Sequence, residues 1–254
     1  MFIVAFYSVI FVTHDQVFPN KTDIPTFNSN AIEANLRFLP GISDCILSLN
    51  DDVFVGALTP KSFFVDSVTG KLRLSFGKST APATEEEMMS NGWYRSINYT
   101  NSLINAYYHP DAKEVVRHNY AGHYCHFYRK DILDLMGNRW AEDFARTSRN
   151  KFRGSRDVST PFMHNNVALE EGLGTRSKEG RNGIGSWSSN HAENVQTWSR
   201  LTARPLHCIC IQDEMDNSED TEAEVKYLVK SLCSLFPNKS SFELSTDANP
   251  CENA

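Results

Sequence analysis

The chain has 254 residues, of which 41% are hydrophobic and 22% are charged, and its formal net charge is −6. This composition is typical of a globular protein, and the length allows one large domain or two small ones. The acidic balance argues against a dedicated nucleic-acid-binding protein, because such proteins are usually basic. We therefore expect no nucleic-acid partner.

The first twelve residues, MFIVAFYSVIFV, are almost entirely apolar. This run is shorter than the roughly 20 residues that span a bilayer, and no cationic segment precedes it. We expect an internal strand here rather than a signal peptide or a membrane anchor. Glycosylation sequons begin at Asn20, Asn98 and Asn238. Such triplets are common by chance, so they permit a lumenal location without indicating one.

The next segment predicts a helix that leads into a buried strand. Asn30 is the expected N-cap, with Glu33 at the third helical position as in a capping box. Pro40 ends the apolar stripe that follows, and a strand is predicted from residue 46 to 49. A helix followed by a buried strand is typical of an α/β sheet.

Later segments add elements to this pattern. One helix is predicted from residue 130 to 144, and the clearest apolar stripe runs from residue 225 to 236. Residues 77–92 are polar and rich in turn formers, so we expect a surface excursion there. Residues 171–190 contain many glycines and serines and predict a long loop. The tail, residues 245–254, is expected to be disordered.

The six cysteines form no CxxC pair and no dense framework. Cys208 and Cys210 flank Ile209 in a pattern typical of a strand, and we expect their sulfurs on opposite faces. We interpret the cysteines as mostly buried thiols with room for one disulfide. They do not decide the redox compartment.

Asn50, Asp51 and Asp52 stand between two apolar runs. Burying charge there is costly unless a metal ion or a basic side chain compensates it. In open α/β sheets, ligands gather beyond the carboxyl ends of strands. Carboxylates in that position suit Mg²⁺ or Mn²⁺, which prefer oxygen ligands. The alternative is a strand-end turn in which one aspartate caps the following backbone.

Other candidate residues each have a structural alternative. Glu33 needs no catalytic role if it closes a capping box. His123 and His126 would suit metal binding or proton transfer, yet histidines so placed are more often structural. A basic cluster from residue 146 to 156 would suit a phosphate group, or would simply be a solvated helix end.

Three blocks in order are more specific than any single residue. Residues 12–56 contain the motifs AIE and NDDV, residues 122–159 run from GHYCHFYRKDILDLM to FARTSRNKFRGSRDVS, and residues 207–244 contain QDEMD. These blocks resemble the second, third and fourth conserved regions of the Stealth phosphotransferases. That family includes the precursor of the lysosomal-enzyme N-acetylglucosamine-1-phosphotransferase and bacterial capsule enzymes.

The resemblance implies a single domain over residues 1–244. Its fold would be α/β, with a mostly parallel, Rossmann-like nucleotide-sugar-transferase sheet flanked by helices. The family's first conserved region, a WVxGxD-like motif, has no counterpart in this sequence. Three explanations of this difference stay open: the chain is a fragment, it is an alternative gene model, or its nucleotide site is incomplete.

The resemblance also implies roles for matching residues. The catalytic group would be Glu33, Asp52, His123 and Arg153. Metal ligands would be Asp51 and Asp52, holding Mg²⁺ or Mn²⁺. Substrate contacts would come from Asn50, Asp157, Asp213 and Asp216.

The implied reaction transfers a sugar 1-phosphate, with N-acetylglucosamine 1-phosphate as the expected group, from a UDP-sugar to a hydroxyl of an acceptor glycan and releases UMP. His123 would act as general base, while the ion at Asp52 and the guanidinium of Arg153 would neutralise phosphoryl charge. We expect the Golgi lumen or a membrane-associated site in a eukaryote and the cytoplasm in a bacterium. A homo-oligomer is left open. The alternatives are a glycosyltransferase that releases UDP and an inactive member that only binds glycan or nucleotide.

Overall fold

The computed structural model describes residues 10–81, 92–177, 182–216, 221–238 and 251. Most of the apolar N-terminal run, residues 82–91 of the polar excursion and the tail other than Cys251 lie outside the described residues. The predictions made for those segments therefore stay predictions.

The described residues form helices and short strands in alternation. The helices are α1 (His14–Val17), α2 (Ser29–Ala34), α3 (Gly92–Tyr108), α4 (Lys130–Arg139), α5 (Ala141–Arg149), α6 (Thr160–Glu170), α7 (His191–Thr202) and α8 (Thr221–Leu235). The strands are β1 (Cys45–Ser48), β2 (Val53–Val55), β3 (Leu72–Leu74), β4 (Phe76–Thr80), β5 (Asn119–Ala121), β6 (His126–Arg129), β7 (Gly174–Arg176), β8 (Asn182–Trp187) and β9 (Cys208–Asp213). Single 3₁₀ turns lie at Lys21–Asp23, Leu36–Phe38 and Lys61–Phe63.

The α/β class is confirmed, but the expectation of a mostly parallel sheet is not met by the described strands. The strands form small sheets in the orders β1-β6, β2-β9-β8, β3-β7 and β4-β5. Three of these pairings are antiparallel (β1 with β6, β2 with β9, β4 with β5) and two are parallel. A parallel pair needs a crossover of a dozen or more residues. For the parallel pair β8 and β9, helix α7 forms this crossover, and the three elements make a βαβ unit.

The largest apolar cluster surrounds α6. This helix is buried on most of its circumference, with Phe162, Met163 and Val167 almost fully shielded from solvent. Ile104 of α3 and Met136 of α4 pack into the same cluster. The helix also buries polar residues such as Asn166, whose side chain donates to the carbonyls of Phe162 and Asn119. The core therefore holds α6 rigidly and fixes the position of its N-terminal end.

Helix α2 begins two residues earlier than the sequence predicts. Asn28, not Asn30, is the N-cap, and its side-chain oxygen accepts a hydrogen bond from the backbone N–H of Asn30. Glu33 consequently lies beyond the third helical position and closes no capping box. The helix ends at Ala34 and a 3₁₀ turn follows. This shift leaves the Glu33 carboxyl available for another role.

Other predicted elements were found with changed limits. Strand β1 starts one residue before the predicted strand at residues 46–49, and the apolar stripe near the C-terminus is α8. The helix predicted over residues 130–144 is two helices, α4 and α5, with a break at Trp140, whose ψ is 44°. The loop predicted at residues 171–190 contains β7 and β8, and the surface excursion predicted at residues 77–92 begins within strand β4.

The glycines of β8 explain why that strand was mistaken for a loop. A Cβ on Gly183 would lie 2.6 Å from the side chain of Leu206, and one on Gly185 would lie 2.4 Å from that of Thr197. Glycine suits these positions because α7 and the segment that follows it pack directly onto the strand. In a sequence, such glycines are indistinguishable from those that favour loops.

Candidate active site

A polar cavity of about 300 Å³ opens where several elements end. It lies between the turn after β1, the end of β5, the start of β6, and the N-terminal ends of α2, α3 and α6. The residues that line it include Ser29, Asn30, Glu33, Asn50, Trp93, His123, His126, Arg153, Phe162 and Gln212. Of the predicted residues, Glu33, Asn50, His123 and Arg153 are thus brought together from four distant segments.

Asp52 stands behind this cavity in a compact polar contact. One carboxylate oxygen, Oδ2, lies 3.1 Å from Nε2 of His123 and accepts a hydrogen bond from the thiol of Cys210 at 3.2 Å. The backbone carbonyl of Asp52 accepts from the N–H of Ile211 at 2.9 Å, which fixes the turn against β9. The other carboxylate oxygen, Oδ1, is buried and has no hydrogen-bond partner among the described residues.

The loop that carries His123 is held by local constraints. Gly122 accepts a hydrogen bond from the backbone of Tyr124 at 2.9 Å, and a Cβ on Gly122 would lie 1.9 Å from the Tyr124 ring. A disulfide joins Cys125 to Cys208 of β9. The glycine and the disulfide together set the position of the imidazole beside Asp52.

The expectation that Cys208 and Cys210 face opposite sides is wrong. Residues two apart in a strand share a face, and both cysteines pack in one cluster with Val53 and Cys125. Cys208 forms the disulfide, whereas Cys210 keeps its thiol beside Asp52. A second disulfide joins Cys233 to Cys251, so the expectation of mostly free thiols with one disulfide is also wrong. Burial and the Asp52 carboxylate raise the pKa of Cys210 to about 12, so this group is a neutral hydrogen-bond donor. The correct strand periodicity would have placed Cys210 on the same face as Cys208.

Glu33 is half-buried on the cavity wall, and its carboxyl has unusual acidity. Burial raises its pKa to about 7, although the positive charge of Arg153 opposes that rise. The group is therefore poised between its neutral and charged forms near neutral pH. His126, also in the wall, is kept neutral because burial and the neighbouring His123 and His164 lower its pKa to about 3.

Arg153 is exposed at the edge of the cavity and donates to Oγ of Ser29 at 2.9 Å. Asp157 lies behind it and is fully buried. The Asp157 carboxylate accepts from the side chain of Asn28 at 2.8 Å, from the N–H of Gly154 at 2.8 Å and from Asn150 at 2.5 Å. The structure thus places Asp157 as a positioning group for the Arg153 loop. Direct contact of Asp157 with a substrate stays a prediction.

Asp51, Asp213 and Asp216 do not line the cavity. Asp51 is exposed next to Asp52, and Asp213 is exposed at the end of β9, where it accepts from the N–H of Met215. Asp216 lies in a separate surface depression and accepts from Oγ of Ser189 at 2.6 Å. Their predicted contacts with metal or substrate would need a ligand that extends beyond the cavity.

Two exposed phenyl rings form a ledge beside Arg153, which we call the aromatic ledge. Phe27 and Phe152 stack with ring centroids 5.6 Å apart and planes 16° apart, and they are 74% and 69% exposed. The backbone N–H of Phe27 donates to the carbonyl of Lys151 at 2.9 Å and holds the two segments together. Exposed stacked rings are typical of surfaces that bind the flat or apolar face of a ligand.

The donor atoms near Asp52 fit the predicted Mg²⁺ or Mn²⁺ in one respect. Oδ1 of Asp52 is a carboxylate oxygen of the kind these ions prefer, and it lacks a partner among the described residues. Asp52, His123 and Cys210 each offer a ligand atom, all within 4.8 Å of one another. Imidazole and thiol, however, suit softer ions such as Zn²⁺. A magnesium ion would therefore use Oδ1 of Asp52 and take its other ligands from water and substrate phosphates.

Comparison with known proteins places this site in a family. Residues 4–72 match conserved region 2 of the Stealth proteins, residues 122–166 match conserved region 3, and residues 199–250 match conserved region 4. The chain belongs to the Stealth family. The Stealth-matched regions carry Glu33, Asp52, His123 and Arg153, which the fold assembles around one cavity.

Curated relatives cover most of the chain. It is 30% identical over 243 residues to the capsular polysaccharide phosphotransferase SacB of Neisseria meningitidis serogroup A. This alignment covers 91% of the present chain and 42% of SacB. The chain is 28% identical over 237 residues to an exopolysaccharide phosphotransferase of Streptomyces coelicolor, covering 91% of this chain and 24% of the relative. The chain thus spans about two fifths or less of the length of these relatives. Within the described ranges, no helix is both long and apolar enough to cross a bilayer.

Proposed function

We propose that the chain transfers a sugar 1-phosphate, with N-acetylglucosamine 1-phosphate as the expected group, from a UDP-sugar to a hydroxyl of an acceptor glycan. The observation that carries this proposal is the convergence of Glu33, His123 and Arg153 on one cavity, with Asp52 bonded to His123. The names of the relatives, which are phosphotransferases of capsular and extracellular polysaccharides, support the same reaction class.

The proposed step breaks the phosphoanhydride bond of the donor and forms a phosphoester bond to the acceptor. The acceptor oxygen attacks the β-phosphorus of the donor, the bond from that phosphorus to the bridging oxygen breaks, and UMP leaves with the bridging oxygen. The acceptor loses its hydroxyl proton in this step. Arg153 at the cavity edge is suited to bind the phosphoryl oxygens, because a guanidinium matches their charge and geometry. A divalent ion at Oδ1 of Asp52 would neutralise diphosphate charge when bound.

His123 is the proposed general base. Asp52 engages its Nε2, so the neutral ring with a proton on Nε2 is favoured and Nδ1 remains to accept the hydroxyl proton. Asp52 then stabilises the imidazolium that forms, as a carboxylate does for a catalytic histidine in other enzymes. Glu33, with its pKa near 7, would bind a sugar hydroxyl or the acceptor and adjust its protonation during turnover.

The test is incubation of purified protein with UDP-N-acetylglucosamine, Mg²⁺ or Mn²⁺ and a simple mannoside, followed by identification of the released nucleotide. We expect UMP, abolished by chelator and by Arg153→Ala. Arg156→Ala removes a nearby exposed arginine and is the matched control. Release of UDP would instead establish a glycosyltransferase. Metal-dependent donor binding with no turnover would establish a binding-only member and overturn the proposed catalysis.

A further inference from the structure

A second cluster of metal-ligating side chains lies away from the cavity, and we define it as the histidine pair cluster: His109, His118 and Glu170. One carboxylate oxygen of Glu170, Oε1, lies 3.1 Å from Nε2 of His109 and 3.2 Å from Nε2 of His118. The three ligand atoms all lie within 4.8 Å of one another. The side chain of His118 is 6% exposed and that of Glu170 is 25% exposed, so the cluster is sheltered and still open to solvent on one side.

Hydrogen bonds determine which ring nitrogen of His118 carries the proton. Nδ1 lies 2.8 Å from Oδ1 of Asn101, which also accepts from the backbone N–H of His118. The amide of Asn101 cannot turn round, because its Nδ2 donates to the carbonyl of Val116 at 3.2 Å. Nδ1 of His118 must therefore be the donor. In the neutral ring this leaves a lone pair on Nε2, directed at the carboxylate of Glu170.

A lone pair that faces a carboxylate oxygen at 3.2 Å is repulsive unless a cation lies between them. A metal ion would satisfy both groups at once. The hydrogen bond from Nδ1 to Asn101 is the contact that a metal-binding histidine usually makes through its other ring nitrogen.

We propose that His109, His118 and Glu170 form a zinc site, with a water molecule in the remaining position. Two imidazoles and one carboxylate are a known type of zinc ligand set, whereas Mg²⁺ and Ca²⁺ prefer oxygen alone. Ligand bonds of ~2.0–2.2 Å in tetrahedral geometry place neighbouring ligand atoms roughly 3.3 Å apart. The separations of 3.1 and 3.2 Å from Glu170 match that spacing.

The site would connect elements that also form the cavity. His109 follows α3, His118 precedes β5, and Glu170 ends α6. Strand β5 runs from residue 119 to Ala121 and leads directly to His123, while the opposite end of α6 lines the cavity. Asn105, one turn along α3 from Asn101, exchanges two hydrogen bonds with the backbone of Val116 and holds the same segment. Zinc would therefore cross-link α3, the segment before β5 and α6, which support the cavity.

The experiment measures zinc bound per chain after the protein is stripped with chelator and dialysed against Zn²⁺. We expect one zinc that is lost, or bound at least tenfold more weakly, in His109→Ala and Glu170→Gln. His191→Ala is the matched control, because Nδ1 of His191 lies 2.9 Å from a carboxylate oxygen of Glu224 and this pair belongs to no three-ligand cluster among the described residues. Retention of the zinc in both His109→Ala and Glu170→Gln would overturn the proposal, as would absence of binding in the wild type.

The cluster at Asp52 must be separated from this site. Cys210→Ser in the same assay should leave the zinc at the histidine pair cluster unchanged. Replacement of zinc by Co²⁺ distinguishes the two, because only a site with Cys210 gives a sulfur-to-cobalt charge-transfer band. We expect visible absorption from bound Co²⁺ without the charge-transfer band, and we expect this absorption to be lost in His109→Ala. A band that persists in His109→Ala and disappears in Cys210→Ser would assign the metal to the Asp52 cluster and contradict the proposal.

Discussion

At the residue scale, the two oxygens of Asp52 have different surroundings. Oδ2 contacts His123 and Cys210, whereas Oδ1 is buried without a partner among the described residues. A buried carboxylate oxygen without a partner is costly, and such groups are concentrated at functional sites. The asymmetry is what we expect of a side chain that orients a base with one oxygen and contacts a ligand with the other.

Asp52→Asn keeps the shape of this side chain and removes its charge. We expect kcat/KM for sugar-phosphate transfer to fall by about 10²–10⁴-fold, because both the orientation of His123 and the charge at Oδ1 are lost. Circular dichroism should show a folded protein. Asp111→Asn, an exposed aspartate elsewhere, should keep activity within about twofold. Wild-type kinetics in Asp52→Asn would contradict the role of Asp52.

The raised pKa of Glu33 predicts that the stability of the fold depends on pH. Its pKa rises from 4.5 to about 7 in the folded protein, so between these values the folded chain holds a proton that the unfolded chain has released. The free energy of unfolding must therefore fall as the pH rises through this window. Glu33→Gln removes the effect and should gain up to about 2–3 kcal/mol relative to wild type between pH 4.5 and pH 8.

Denaturant unfolding at pH 5 and pH 8 measures this difference. Glu222→Gln is the control, because Glu222 is exposed and its pKa is lowered by Lys226, so no relative gain is expected at the higher pH. A Glu33→Gln variant whose stability relative to wild type is the same at both pH values would show that Glu33 is not held in its neutral form.

At the scale of elements, the disulfide between Cys125 and Cys208 connects the His123 loop to β9. It closes a chain segment of 83 residues, against 18 for the disulfide between Cys233 and Cys251. In the chain-entropy account these loops contribute about 4.5 and about 3 kcal/mol to stability. The two disulfides therefore have comparable thermodynamic value, and only the first adjoins the cavity.

We expect Cys125→Ser with Cys208→Ser to lower activity at least tenfold at a temperature where the variant is still folded. The matched pair, Cys233→Ser with Cys251→Ser, should lose stability and keep activity within about twofold. Enzyme kinetics and thermal unfolding curves are measured for both variants. Together they separate an effect on the position of His123 from a general loss of stability. Equal activities in the two variants would show that the first disulfide does not position His123.

The aromatic ledge gives a prediction about binding. Phe27→Ala with Phe152→Ala removes two exposed rings beside Arg153, so we expect KM for donor or acceptor to rise by about 5–30-fold, since stacking contributes roughly 1–2 kcal/mol. The value of kcat should change little. Phe11→Ala, which removes a ring that is 88% exposed, is the control. Unchanged KM for both substrates would leave the ledge without a role in binding.

At the scale of the whole molecule, the sequence did not predict how the strands pair, whereas the four residues that it proposed as catalytic lie in or beside one cavity. The matched blocks indicated Glu33, Asp52, His123 and Arg153, because motifs keep residue identity even when their segments are far apart in the chain. Sequence patterns could not show how strands pair, since pairing depends on contacts between distant segments. The antiparallel pairing of β1 with β6 across 77 or more residues is such a contact.

Local errors had identifiable causes. Asn28 and Asn30 are equally good N-caps in isolation, and the choice between them depends on the contact of Asn28 with the buried Asp157. The glycines of β8 serve close packing, which a sequence does not distinguish from loop flexibility. Cys210 was missed because the face of its strand was assigned wrongly, although strand periodicity would have placed it beside Cys208.

The measurement that tests the central claim most directly follows the β-phosphate of the donor. UDP-N-acetylglucosamine radiolabelled in that phosphate is incubated with the protein, a divalent ion and a glycan acceptor, and the products are separated. Transfer of sugar 1-phosphate predicts that the label leaves the nucleotide and becomes attached to the acceptor in a phosphodiester. Label that stays with the nucleotide as UDP, while unlabelled sugar joins the acceptor, would contradict the account.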